Sequence, residues 1–181
     1  MRLLIVVLAL AGAGLAWSGP EHAHHGSEGC MKGPMAQFGR YIGDWRITDE
    51  QLSQDGTEWS AGTGARWQFE CVGNGVAVQD YWMPFTGGYG TNLRTFNPST
   101  DAWEIVWTAA RQPGLQRISA RQDEEGRIVM SIDYPEPPQP RRIIFFPPDE
   151  EGWDWAMQWS LDGGNTWFDV YRIRATPWED E

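Results

Sequence analysis

The stretch that most constrains the fold is WDWAMQWSLDGGNTWFDVYRIR, residues 153–174. In its first arm Trp153, Trp155, Met157, Trp159 and Leu161 fall on one face, with Asp154, Gln158 and Ser160 on the other. A period of two is the pattern of a half-buried strand. Asp162-Gly163-Gly164-Asn165 then supplies residues that tolerate the positive φ of a hairpin turn. In the second arm Trp167, Tyr171 and Ile173 share one face, and Phe168 and Val170 the other. The expectation is two long strands joined by one tight turn.

The middle of the chain repeats the pattern. Strands are expected over 41–47, 57–72, 76–85, 91–96, 102–110, 115–122, 127–134 and 141–146. The long segment 57–72 is interrupted at Gly62 and Gly64, where a bulge or bend is expected. Turns fall at Gly73-Asn74-Gly75, at 86–90, at 97–101, at Gln112-Pro113-Gly114 and at the acidic run Asp123-Glu124-Glu125-Gly126. Residues 135–140 are Pro-rich and read as extended. No helical period of useful length is present, and a short helical turn is expected only over 35–41. The chain therefore reads as all-β: a single antiparallel up-and-down barrel of about ten strands joined by short turns. Barrel closure would remove unpaired strand edges.

The ends read differently. Residues 1–18, MRLLIVVLALAGAGLAWS, place one Arg before an apolar run that ends in small residues. That fits a secretory signal peptide, with a retained signal anchor as the alternative, and the run is short of the about 20 apolar residues a membrane span needs. Cleavage would follow Ala16 or Ser18, and no lipobox precedes Cys30. Export to the periplasm or beyond is expected, with no stable membrane anchor. Residues 19–37 are Gly-rich and polar, so a flexible arm is expected. The barrel domain is then 38–176, followed by an acidic tail over 177–181.

All three histidines, His22, His24 and His25, lie in the arm, where with Glu21, Glu28 and Cys30 they form a weak candidate site for Cu or Zn. From residue 26 onward there is none. The folded body is thus without His-based acid–base catalysis, a His-ligated haem or a His-ligated zinc. No cofactor is expected. The two cysteines, Cys30 and Cys71, either pair and pin the arm to the body or remain as two thiols.

Three resemblances follow from these motifs. Ser160-Leu161-Asp162-Gly163-Gly164-Asn165-Thr166-Trp167 resembles the Asp-box hairpin of sialidase propellers, which implies a structural role for Asp162 and Trp167. Only one copy is present, so no propeller is implied. Gly43-Asp44-Trp45 resembles the G-x-W signature of lipocalins. That implies that Trp45 closes one barrel end, with Arg172 or Arg174 of the last strand packed across its indole. Tyr41 to Trp45, Gly73 to Gly75, Phe96 to Trp103 and Ser160 to Trp167 together resemble the DUF1579 type of calycin-like barrel, over Phe38 to Arg174. These motifs are turns and core aromatics, and the resemblance carries no catalytic residues. Nitrobindin-like barrels share the shape but require a haem-ligating His that this body lacks.

Composition narrows the function classes. A net charge of −11 makes nucleic acid and anionic membranes poor partners. Twelve Trp is high for this length: many are expected in the core, where buried indoles supply large apolar area, and some to line a cavity. The leading expectation is a binding barrel for a small apolar or aromatic molecule. Candidate lining residues are Trp67, Phe69, Trp82, Trp107, Trp155 and Trp159, with Arg94, Arg117 or Gln158 as polar anchors. A filled interior would instead favour a structural or interaction module of the envelope. An enzyme would need a convergent acid–base group inside, such as Asp80, Asp133 or Asp169.

Overall fold

The computed structural model of the protein describes residues 27–179. Its strands are β1 (Gly43–Leu52), β2 (Trp59–Ala61), β3 (Ala65–Val72), β4 (Ala77–Pro84), β5 (Gly90–Asn97), β6 (Ala102–Ala109), β7 (Gln112–Gln122), β8 (Ile128–Tyr134), β9 (Arg141–Phe145), β10 (Trp153–Trp159) and β11 (Phe168–Pro177). From β3 to β11 every strand pairs antiparallel with the next. β1 closes the ring, pairing with β3 on one side and β11 on the other. The result is a closed antiparallel barrel of ten strands, with β2 as a short extra strand against the far part of β1. The all-β barrel read from the alternating pattern is the fold.

The opening hairpin fixes one wall. Trp153 stands opposite Ala175, Trp155 opposite Ile173 and Met157 opposite Tyr171. On its other side Trp155 faces Phe145 and Met157 faces Ile143. These side chains point inward and form a continuous apolar band across three strands. After Met157 the register slips: Gln158 pairs with Asp169, leaving Val170 as the extra residue of a bulge. β10 ends at Trp159, so Leu161, expected on the strand face, sits in the turn and is 78% exposed. Trp167 likewise lies before β11 rather than in it.

Two further expectations shift. The Gln112-Pro113-Gly114 turn belongs to β7, and the chain reverses at 110–111 instead. The segment 57–72 divides into β2 and β3 at the expected corner. There Gly62 lies so close to the Asp49 carboxylate that a Cβ would come within 2.0 Å of it.

The larger difference concerns the arm. Residues 27–34, expected to be flexible, fold into short 3-10 turns (Ser27–Met31 and Gly33–Met35) that run into α1 (Ala36–Gly39), which lies within the helical turn expected over 35–41. Polar, Gly-rich composition concealed an anchored segment. Cys30 is fully buried and bonded to Cys71 on β3, a disulfide spanning 41 residues of sequence. Phe38 and Tyr41, also fully buried, plug one end of the barrel. Phe38 meets Trp103 edge to face at 4.8 Å, and Tyr41 meets Trp153 at 5.0 Å. Phe145 stacks on Trp153 at 5.5 Å, and Trp67 and Phe69 complete the cluster. Edge-to-face and offset contacts of this kind add to the large apolar area that each ring buries.

Polar groups seal the same end. Trp103 Nε1 donates to Gln37 Oε1 at 2.8 Å, Tyr41 Oη donates to the Phe146 carbonyl at 2.9 Å, and Arg40 donates to the Gly126 carbonyl at 2.6 Å. Burial pushes the Tyr41 phenol up to about 12, against the opposing pull of the neighbouring Arg40.

Candidate functional site

The barrel's two ends are built unlike. At the end opposite the plug, the inward side chains do not meet, and a cavity of about 340 Å³ opens between them. Four indoles form its walls: Trp67 on β3, Trp82 on β4, Trp107 on β6 and Trp155 on β10. Each arrives there by strand parity, with cross-strand register bringing Trp67 opposite Trp82 and Trp107 opposite Asn92. Trp67 and Trp82 meet edge to face at 5.0 Å, and Trp155 meets Tyr171 likewise at 5.7 Å. Trp107 packs against Gly90, where a Cβ would come within 2.0 Å of the ring. Only glycine lets the indole approach the backbone there. Met130, Ile132, Ile143 and Met157 fill the apolar wall between the rings.

The polar groups of the cavity fall in two places. Near the plug lies Arg94, fully buried, ion-paired to the equally buried Asp80. Asp80 also accepts from the Asn92 backbone N–H at 3.0 Å and from Asn92 Nδ2 at 3.0 and 3.2 Å. The Arg94 guanidinium sits 4.8 Å from the centre of the Phe38 ring, 5.2 Å from Phe69 and 5.8 Å from Phe145. Its Nε and Nη1 have no hydrogen-bond partner among the described residues, and aromatic faces serve in their place. At the mouth lie Gln112, Gln116, Arg141 and Tyr171. Tyr171 donates its hydroxyl to the Asp49 carboxylate, which also accepts from the Gly64 N–H at 2.8 Å. Burial and that carboxylate both raise the Tyr171 pKa. Tyr89 and Leu161 are exposed in connecting turns at this end.

Of the lining candidates, Trp67, Trp82, Arg94, Trp107 and Trp155 come together in the cavity wall. Phe69 does not: it shares the face of Trp67 but lies two residues nearer the plug, 2% exposed among the rings. Arg117 is exposed on the outer surface beside inward Ile118. Gln158 faces outward, accepting from Arg142 Nε at 2.7 Å and donating to Asp169 at 2.8 Å. Trp159, opposite Phe168 and Arg141, is not among the residues that line the cavity. Asn92, Gln112, Gln116, Arg141 and Tyr171 were not foreseen as lining. Asn92 shares parity with Arg94, and Arg141 with Ile143 and Phe145, so the signal was present.

The acid–base candidates separate. Asp80 is neutralised by Arg94, whereas Asp133 accepts from Ser119 Oγ at 3.0 Å and Asp169 pairs with Arg172, both on the outside. Trp45 packs at the plugged end, against Trp153 at 5.7 Å, with its Nε1 donating to the Tyr41 carbonyl at 2.7 Å. The expected arginine across it is not there. Arg172 lies over Trp59 at 4.2 Å, and Arg174 forms a two-pronged pair with Asp149 at 2.9 Å. Both arginines have the outward parity, opposite Glu50 and Thr48. Asp162 ties the hairpin turn as its motif implies, accepting from the Thr166 hydroxyl and N–H and the Asn165 N–H. Those bonds hold its carboxyl down at about 2, the Thr166 hydroxyl first. Trp167 Nε1 donates to the Gly164 carbonyl at 3.0 Å. His22, His24 and His25 lie outside the described residues, and among the described residues no cluster of His, Cys, Asp and Glu could hold a metal.

No family model matches the chain, and no curated protein matches it. Among solved structures, the crystal structure of Rv2717c from M. tuberculosis superimposes with a TM-score of 0.49 at 9% identity, over 82% of this chain and 99% of that one. The barrel described above rests on the strand pairing itself.

Proposed function

We propose that the protein is an exported binding barrel that takes one small, mostly aromatic molecule into the cavity at its open end. The observation that carries this is the cavity of about 340 Å³ walled by Trp67, Trp82, Trp107 and Trp155. Small-molecule sites of several hundred Å³ combine such apolar walls with a few placed polar groups. An interior filled from end to end would have supported a purely structural module, and this interior is filled only at the plug. Export is supported by the apolar leader of residues 1–18 and by the Cys30–Cys71 disulfide, which suits an oxidising compartment.

Titration with the neutral dye N-phenylnaphthylamine tests the binding reading. Saturable binding of one dye per chain, with dye emission rising as Trp emission falls, is expected. No saturable binding would sink it. N-terminal sequencing of the protein recovered from the producing cell tests export: a mature start at Trp17 or Gly19 is expected, and an intact Met1 would contradict it.

A further inference from the structure

The cavity contains two arginines in opposite electrostatic states. Arg94, near the plug, has its charge cancelled by Asp80 and its guanidinium covered by phenyl rings. An acid group brought to that depth would meet a pair already neutral, and would lose its hydration without gaining a free countercharge. Arg141, at the mouth, is half-buried in the cavity wall. Its Nε is buried without a hydrogen-bond partner, and no carboxylate of the described residues forms an ion pair with it. Its neighbours on the same strand and beyond are satisfied: Arg142 by Gln158 and the Trp167 ring, Arg172 by Asp169. The carboxylate on this side of the interior, Asp49, is covered by the Tyr171 hydroxyl and the Gly64 N–H.

We infer that the cavity is built for an aromatic acid that enters ring first, its apolar body against the four indoles and its single anionic group left at the mouth on Arg141. The inference rests on the binding reading above and specifies its ligand class. A guanidinium offers a carboxylate or sulfonate charge-assisted hydrogen bonds, stronger than neutral ones. Gln112 and Gln116 flank it with further amide donors.

Two matched dyes separate this inference from the reading beneath it. Anilinonaphthalene sulfonate and N-phenylnaphthylamine share the same rings and differ by the sulfonate. The wild type should bind the sulfonate dye about tenfold more tightly, the effect of one charge-assisted contact in a partly dry site. Arg141→Gln should erase that preference, read as the ratio of the two dyes' affinities within the same variant, and Arg141→Lys should restore part of it. Equal binding of both dyes by the wild type, or a preference that survives Arg141→Gln, overturns the aromatic-acid inference and leaves the binding barrel standing. Loss of both dyes from Arg141→Gln without any recovery in Arg141→Lys also overturns it. Failure of the wild type to bind either dye removes the binding barrel itself.

Discussion

The two ends of this barrel use the same residue types to opposite effect. At the plugged end Tyr41, Phe69, Trp103, Phe145 and Trp153 meet ring against ring, none more than 2% exposed. At the open end Trp67, Trp82, Trp107 and Trp155 line a cavity of about 340 Å³, and of these four only Trp67 and Trp82 meet ring to ring among the described contacts. The difference comes from residues 27–42. They enter one mouth of the ring, tethered by Cys30 to β3 and hydrogen-bonded at Gln37, Arg40 and Tyr41. No corresponding segment of the described chain enters the other. Ten strands enclose more interior than their own side chains fill, and an added segment is what makes one end solid. Aromatic content alone therefore says nothing about which rings pack and which line.

The sharpest way to break the comparison is to truncate a ring at each end. Trp153→Ala should cost about 3–5 kcal/mol in denaturant unfolding, since a fully buried indole leaves a cavity its neighbours cannot collapse into. A loss below about 1 kcal/mol would mean that the plugged end is not close-packed. Cutting the tether comes next. Replacing Cys30 and Cys71 by Ser frees a loop of 41 residues in sequence, and loop-closure entropy places the loss at about 2–4 kcal/mol. Dye binding at the far end should survive under folding conditions.

The third test uses pH. Tyr41 stays protonated in the folded protein up to about 12, whereas an unfolded Tyr ionises near 10. The folded state thus holds its proton more tightly, and this contribution is complete below pH 10. It should be lost as pH rises from about 10 toward about 12, by about 2–3 kcal/mol. Tyr171 is shifted the same way, so Tyr41→Phe should reduce the alkaline loss rather than abolish it. An alkaline slope unchanged in Tyr41→Phe would contradict the plug geometry. The smallest effect on stability belongs to the open end. Trp107→Leu should cost less than about 1 kcal/mol of stability because the indole already borders a void, yet should weaken dye binding by about 1 kcal/mol or more.

Strand parity made much of this legible in the sequence. Trp67, Trp82, Trp107 and Trp155 all have the inward parity of their strands, and all line the cavity. Parity gives a face but not a depth, which is why Phe69 was misplaced: it shares the Trp67 face and belongs to the plug. Gln158 and Arg117 were offered as anchors, yet the alternation that puts Met157 inside leaves Gln158 outside, and adjacency to inward Ile118 does the same for Arg117. The Asp80–Arg94 pair depends on β4–β5 register, with Asp80 opposite Asn92 and Val78 opposite Arg94. No pattern within a single strand supplies that. The plug was hidden for a different reason. Polar and glycine-rich residues 27–37 lack a period, and what orders them is one disulfide and the long-range contacts of Phe38 and Tyr41.

The central claim is that one end of the barrel is solid and the other receives an aromatic ligand. A crystal structure grown with bromonaphthalene tests it most directly, because the anomalous signal of bromine places the ring without interpretation of shape. The account predicts one bromine site per chain, inside the barrel between Trp107 and Trp155 and on the mouth side of Arg94. Bromine found only on the outer surface, or among Phe38, Phe145 and Trp153 at the plugged end, would contradict it.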